Sequence, residues 1–176
     1  LCMSYKEANR SLSPPTQATA LSEVLRAGIE ASTLPLSLPL LMLKAPKGDG
    51  HRVLVVPGFL AGDRSTAVLR RFIGRLGYSA LPWGLGRNNG GQLQHEQLIR
   101  RFEELVEDGD GPISIVGQSL GGVYARELAR LRPDSVRMVM TLGSPFGALS
   151  EMTSHPFLFR LFKSMSGVTP EEAREQ

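Results

Sequence analysis

The stretch Pro112-Ile113-Ser114-Ile115-Val116-Gly117-Gln118-Ser119-Leu120-Gly121 decides the fold. Short apolar residues climb to a G-x-S-x-G and then open into Gly122-Val123-Tyr124-Ala125-Arg126-Glu127-Leu128-Ala129-Arg130, which reads as a helix. The order is strand, sharp turn, helix. A serine at the apex of such a turn adopts strained backbone angles and presents its hydroxyl. Gly117 and Gly121 are needed because a Cβ at either position would strike the neighbouring strand or helix. In a chain with 19 glycines the spacing alone says little. The β-branched strand before it and the Gly121-Gly122 pair after it favour a nucleophile elbow over a glycine-rich turn with an ordinary serine.

Working outward, Arg52-Val53-Leu54-Val55-Val56 reads as a fully buried strand, Tyr78 to Trp83 as another, and Val136 to Leu142 as a third beside the elbow strand. Between them, Val68, Leu69, Phe72, Ile73 and Leu76 form the apolar face of one helix, closed by Gly77 and capped by Asp63 or Ser65. Leu98, Ile99, Phe102, Leu105 and Val106 form the face of a second. Alternating buried strands and helices predict an α/β fold, a mostly parallel sheet with helices on both faces.

Upstream, Leu21, Val24, Leu25, Gly28 and Ile29 fall at helical spacing. Leu34 to Leu43 is apolar but ten residues long, against about 20 for a spanning helix. Pro35 and Pro39 argue against an unbroken helix there. The segment is expected to cover the core, with contact to a membrane or lipid surface as the alternative. Residues 1–18 are polar, carry Pro14-Pro15 and read as poorly ordered. In the tail, Leu158, Leu161, Phe162 and Met165 fall at i, i+3, i+4 and i+7, the pattern of a lid-like amphipathic helix or of a plain packing helix.

The 176 residues carry a formal net charge of +3 with scattered lysines and arginines, which favours solvated surface charge over nucleic-acid binding. Cys2 is the single cysteine, so no disulfide forms within the chain. No signal peptide or transmembrane helix is evident, and a cytoplasmic or membrane-associated location is expected. No His, Cys, Asp or Glu cluster has metal spacing. Gly84-Leu85-Gly86-Arg87-Asn88-Asn89-Gly90 departs from the dinucleotide fingerprint. No cofactor is therefore expected. Arg87 and Asn88 are read as bracing the loop over the strand ends rather than as touching substrate.

Four separated motifs in order, Val55-Val56-Pro57-Gly58-Phe59, Trp83-Gly84-Leu85-Gly86-Arg87-Asn88, Gly117-Gln118-Ser119-Leu120-Gly121-Gly122 and Thr141-Leu142-Gly143-Ser144-Pro145-Phe146-Gly147, resemble the α/β-hydrolase superfamily, and within it bacterial lipase- and esterase-like members. The resemblance covers roughly residues 50–150 and implies a partial hydrolase core over 19–150 followed by a lid-like tail over 151–176. It implies Ser119 as nucleophile and an oxyanion hole formed by the backbone N–H groups of Phe59 and Leu120, with Gly58, Gly117, Gln118 and Gly121 supporting loop and elbow. Pro57-Gly58 stands where lipases of this type carry His-Gly.

The family's acid and histidine follow the serine after later strands. Here His51 and His95 precede Ser119 and are expected to serve surface or packing roles. His155, the one histidine after it, sits beside Pro156 without an acid partner. The chain is therefore expected to be the N-terminal part of a longer hydrolase, or a truncated product. The function expected is a serine carboxylic ester hydrolase acting on an apolar ester or acyl substrate. An acyltransferase or thioesterase of the same fold is the first alternative. A non-catalytic fragment or pseudoenzyme that binds an apolar ligand or partner is the second. The oligomeric state is left open.

Overall fold

The computed structural model describes residues 17–144. A long helix α1 (Gln17–Lys44) leads into β1 (Arg52–Val56), α2 (Ala67–Arg75), β2 (Ser79–Pro82), α3 (Gln92–Glu107), β3 (Ile113–Gln118), α4 (Leu120–Leu131), a 3₁₀ turn (Pro133–Ser135) and β4 (Val136–Leu142). The four strands form one sheet in the order β2-β1-β3-β4, and every pairing is parallel.

Alternation along the strands divides the core into two layers. Leu54, Val56, Ile113 and Ile115 face Leu98, Phe102 and Leu105 of α3 and Leu120, Tyr124 and Leu128 of α4. Val53, Val55 and Val116 face the other way, onto Ile73 and Leu69 of α2. Helices thus cover both faces, as expected from the buried, unalternating strands. Burial of each large side chain contributes about 1.5–3 kcal/mol.

The strand order reverses between β1 and β3. β1 leads through α2 on one face, while β3 leads through α4 on the other, so their carboxyl ends splay around a crevice. In open α/β sheets this switch point is where ligands bind. The loop after β1 (57–66) and the turn at Ser119 both arise there.

Two expectations need correction. Helix α1 runs unbroken through Pro35 and Pro39. The N–H that Pro39 lacks would have met the carbonyl of Pro35 itself, so the two defects fall close together on one side of the helix. The Ser32, Thr33 and Ser37 hydroxyls bond back to the carbonyls of Ile29, Glu30 and Thr33 around them. Nor do most of the described side chains from Leu36 to Leu43 cover the core. Leu36 and Leu43 are 79% and 83% exposed, and Leu40 and Leu41 are exposed too. Leu38 and Met42, half a turn away, are half-buried.

Of the expected N-terminal segment 1–18, residues 17 and 18 are described, and they open α1. The tail expected over 151–176, with His155, lies outside the described residues. Among the described residues no helix is long and apolar enough to cross a membrane.

Candidate active site

Ser119 sits between the last residue of β3 and the first of α4, with φ 51° and ψ −119°. Its N–H donates to Leu142 O at 2.9 Å, and its carbonyl accepts the Gly122 N–H at 3.0 Å. The strand has pairs on both sides and the helix begins at once, so the backbone must reverse within this one residue. Among the described residues, Ser119 and Leu60 are the two non-glycine residues with positive φ. One follows β3 and the other follows β1, so the strained positions flank the same crevice. Such strain costs on the order of 1–3 kcal/mol and persists where the surroundings enforce it.

The surroundings do enforce it. A Cβ on Gly117 would stand 2.3 Å from Gly121 O, and one on Gly121 would stand 2.3 Å from Val56 O. Both contacts are with backbone, which cannot swing aside. Helix α4 is therefore pressed against β1 and β3. A Cβ on Gly122 would meet the Ser144 hydroxyl, which donates to Gly117 O at 3.4 Å. Gln118, the residue before the serine, is exposed at the strand end. Leu120 is buried as the first residue of α4.

The loop after β1 lies beside the serine. Gly58 is buried, and a Cβ on it would lie 3.2 Å from Ser119 Cβ and 3.2 Å from Gln118 O. Phe59, the next residue, packs partly buried against the α3/α4 side of the core. The carbonyl of Gly58 accepts the Ala61 N–H at 3.1 Å.

Asp63 does not cap α2. Helix α2 starts after Thr66 without a side-chain cap. The Asp63 carboxylate instead accepts the N–H groups of Trp83 and Gly84 at 3.0 and 3.1 Å, tying the loop after β1 to the loop after β2. Ser65 bonds back to Gly62 O. Gln94, which the sequence reading passed over, accepts the Asn89 N–H at 2.6 Å and donates to the carbonyls of Leu85 and Arg87. It stands three residues after the Gly91 N-cap, the position from which a glutamine reaches back over a helix start, so the signal was present. Arg87 is exposed, whereas Asn88 is fully buried and hydrogen-bonded, so loop-bracing describes Asn88.

The two described histidines are engaged elsewhere. His51 Nε2 lies 2.8 Å from Ser114 Oγ, and its Nδ1 contacts the Asp49 carboxylate. Asp49 also pairs with Arg137 at 2.8 Å. This Ser-His-Asp chain has the connectivity of a catalytic triad, but it occupies the amino ends of the strands. Ser114 is fully buried within β3, five residues of strand from Ser119, on the order of 16 Å along the chain. It clamps β1, β3 and β4 together at the base. The His51 hydrogen bonds hold the Asp49 carboxyl well below the usual carboxylate range, with Arg137 adding to the effect. His95 stacks on Tyr124 with ring centroids 5.2 Å apart, and burial holds it below the ordinary histidine value against the pull of Glu127 and Glu96. Burial also pushes the Tyr124 hydroxyl up to about 12.

No protein-family model matches the chain. Lipase LipV of Mycobacterium tuberculosis is 36% identical over 98 residues, covering 55% of this chain and 33% of that protein. The mitochondrial palmitoyl-protein thioesterase ABHD10 of Homo sapiens is 29% identical over 109 residues, covering 56% and 35%. The chain thus spans about a third of the length of these curated relatives. Among solved structures, a pyrethroid hydrolase aligns with a TM-score of 0.48 at 22% identity, over 57% of this chain and 43% of its own. The mature lipase BlEst2 of Bacillus licheniformis aligns with a TM-score of 0.46 at 13% identity, over 73% and 64%. A parallel α/β sheet with a strained serine at the carboxyl end of β3, in a chain similar to a lipase and a thioesterase over more than half its length, supports the resemblance to the α/β-hydrolase superfamily over that part of the chain.

Proposed function

We propose that this chain carries the nucleophile of a serine hydrolase acting on carboxylic esters with an apolar acyl group. The observation that carries the reading is the backbone of Ser119, held at φ 51° at the carboxyl end of β3 inside the switch-point crevice. Nothing in strand-to-helix packing requires a serine at that apex. A reactive hydroxyl that must be presented to a substrate does.

In this reading Ser119 Oγ attacks the ester carbonyl carbon as a base takes its proton. The carbonyl oxygen becomes an oxyanion, held by the backbone N–H groups of Leu120, at the start of α4, and Phe59, in the loop against Gly58. The proton passes to the departing alcohol, and water then releases the acid from the serine by the same route in reverse. Gly117, Gly121 and Gly58 admit this geometry by the close approaches described above, and Gln118 stands at the rim. Among the described residues no histidine follows Ser119. The similarity to a thioesterase favours a second reading at the same serine, in which the leaving group is a thiol.

The test is hydrolysis of p-nitrophenyl esters and acyl thioesters by the full-length protein and by Ser119→Ala. Loss of turnover on both substrate types supports the serine reading, and the ratio of the two rates chooses between ester and thioester. Turnover surviving in Ser119→Ala overturns it.

A further inference from the structure

The loop that carries Phe59 is gripped from one side by a single residue. Asn88 is fully buried. Its Nδ2 donates to Pro57 O at 2.8 Å. Its backbone carbonyl accepts the Leu60 N–H at 2.7 Å, and its backbone N–H donates to Ala61 O at 2.8 Å. Its Oδ1 accepts the Gly90 N–H at 3.1 Å, which fixes the amide so that Nδ2 faces Pro57.

Peptide units are planar, so holding one oxygen or one N–H orients the whole unit. The Phe59 N–H belongs to the unit whose carbonyl is that of Gly58. Asn88 holds the unit before it through Pro57 O and the unit after it through the Leu60 N–H. The Gly58 carbonyl is bonded to the Ala61 N–H, and Ala61 is held in turn by Asn88. The Phe59 N–H therefore has its direction fixed from both sides. Leu60 keeps its positive φ of 60° under the same grip. Pro57 O is also the atom that stands 2.7 Å from a Cβ placed on Gly121, so the Asn88 amide bonds a carbonyl seated against the elbow itself.

We infer that Asn88 is a positioning residue for the oxyanion loop, setting the direction of the Phe59 N–H relative to Ser119. The inference rests on the serine-hydrolase reading above. A side chain that merely filled the core would contribute stability without bearing on the transition state. One that aims an oxyanion donor acts chiefly on the transition state, and losing such a donor costs about 10²–10³-fold in kcat.

The experiment uses the full-length protein with Ser119→Ala, Asn88→Ala and Asn88→Asp, well below each variant's melting temperature. Asn88→Asp is nearly isosteric and keeps the acceptor for Gly90 and both backbone bonds, but sets an oxygen against Pro57 O. Both Asn88 variants should lose about 10²-fold in kcat. KM should stay within about threefold, and an alkyl boronic acid, which forms a tetrahedral adduct on the serine, should weaken by the same factor as kcat. A lowered melting temperature with kcat and boronate affinity within threefold of the parent overturns the inference. So does failure of both variants to fold even in the cold, which would assign Asn88 a purely structural part. Activity surviving in Ser119→Ala instead removes the serine reading on which the inference rests.

Discussion

Gly58 and Ser119 are in contact across the crevice: a single methyl group on Gly58 would bring two Cβ atoms within 3.2 Å. The two residues follow neighbouring strands, β1 and β3, whose last pair is Val56 with Gly117. Parallel pairing in this register delivers Ser119 and the loop after β1 to one point. The site is a property of the sheet's topology, completed by glycines that let two backbones approach.

Gly58→Val tests that contact. The added methyls have no room beside Ser119 and Gln118, so the loop must retreat and carry the Phe59 N–H with it. The full-length variant should lose about 10²-fold or more in kcat while remaining folded by circular dichroism. Turnover equal to the parent's would place the oxyanion donors elsewhere.

Gly121→Ala should act on stability rather than chemistry alone. Its Cβ would lie 2.3 Å from Val56 O and 2.7 Å from Pro57 O, both backbone atoms of the central strand and its loop. Overpacking against an immovable neighbour costs about 3 kcal/mol or more. The denaturation midpoint should fall accordingly, and an unchanged midpoint would contradict the close packing of α4 on β1.

Much of this was legible in the sequence. The outer limits of β1 and β4 follow directly from their apolar runs, and the elbow's strand and helix from the change of period at Gly117. What was not legible depends on partners distant in the chain. Asp63 looks like a helix cap because it precedes a helix, but its partners, the N–H groups of Trp83 and Gly84, lie twenty residues on. Ser114 and His51 are 63 residues apart, and no spacing rule links them. The prolines of α1 misled because proline's cost was read residue by residue, whereas their four-residue spacing keeps the defects together. The acid and histidine expected of the family do not fall among the described residues.

The clamp at the base of the sheet predicts a pH dependence. The folded-state pKa of Asp49 is depressed, so its contribution to stability is present above the ordinary carboxylate value of about 3.9 and is lost as pH falls through the lower folded value. Between neutral pH and pH 2.5 the parent's melting temperature should therefore fall more than that of Asp49→Asn. Parallel acid profiles for the two proteins would remove Asp49 from the clamp.

The central claim is that Ser119 is an activated nucleophile, and labelling by a fluorophosphonate probe tests it most directly. The full-length protein should be labelled at one position, identified as Ser119 by peptide mass spectrometry. Ser119→Ala should abolish labelling, and Ser114→Ala, which removes the buried hydroxyl bonded to His51, should leave it in place. Labelling that survives Ser119→Ala, or that maps to Ser114, would contradict the account.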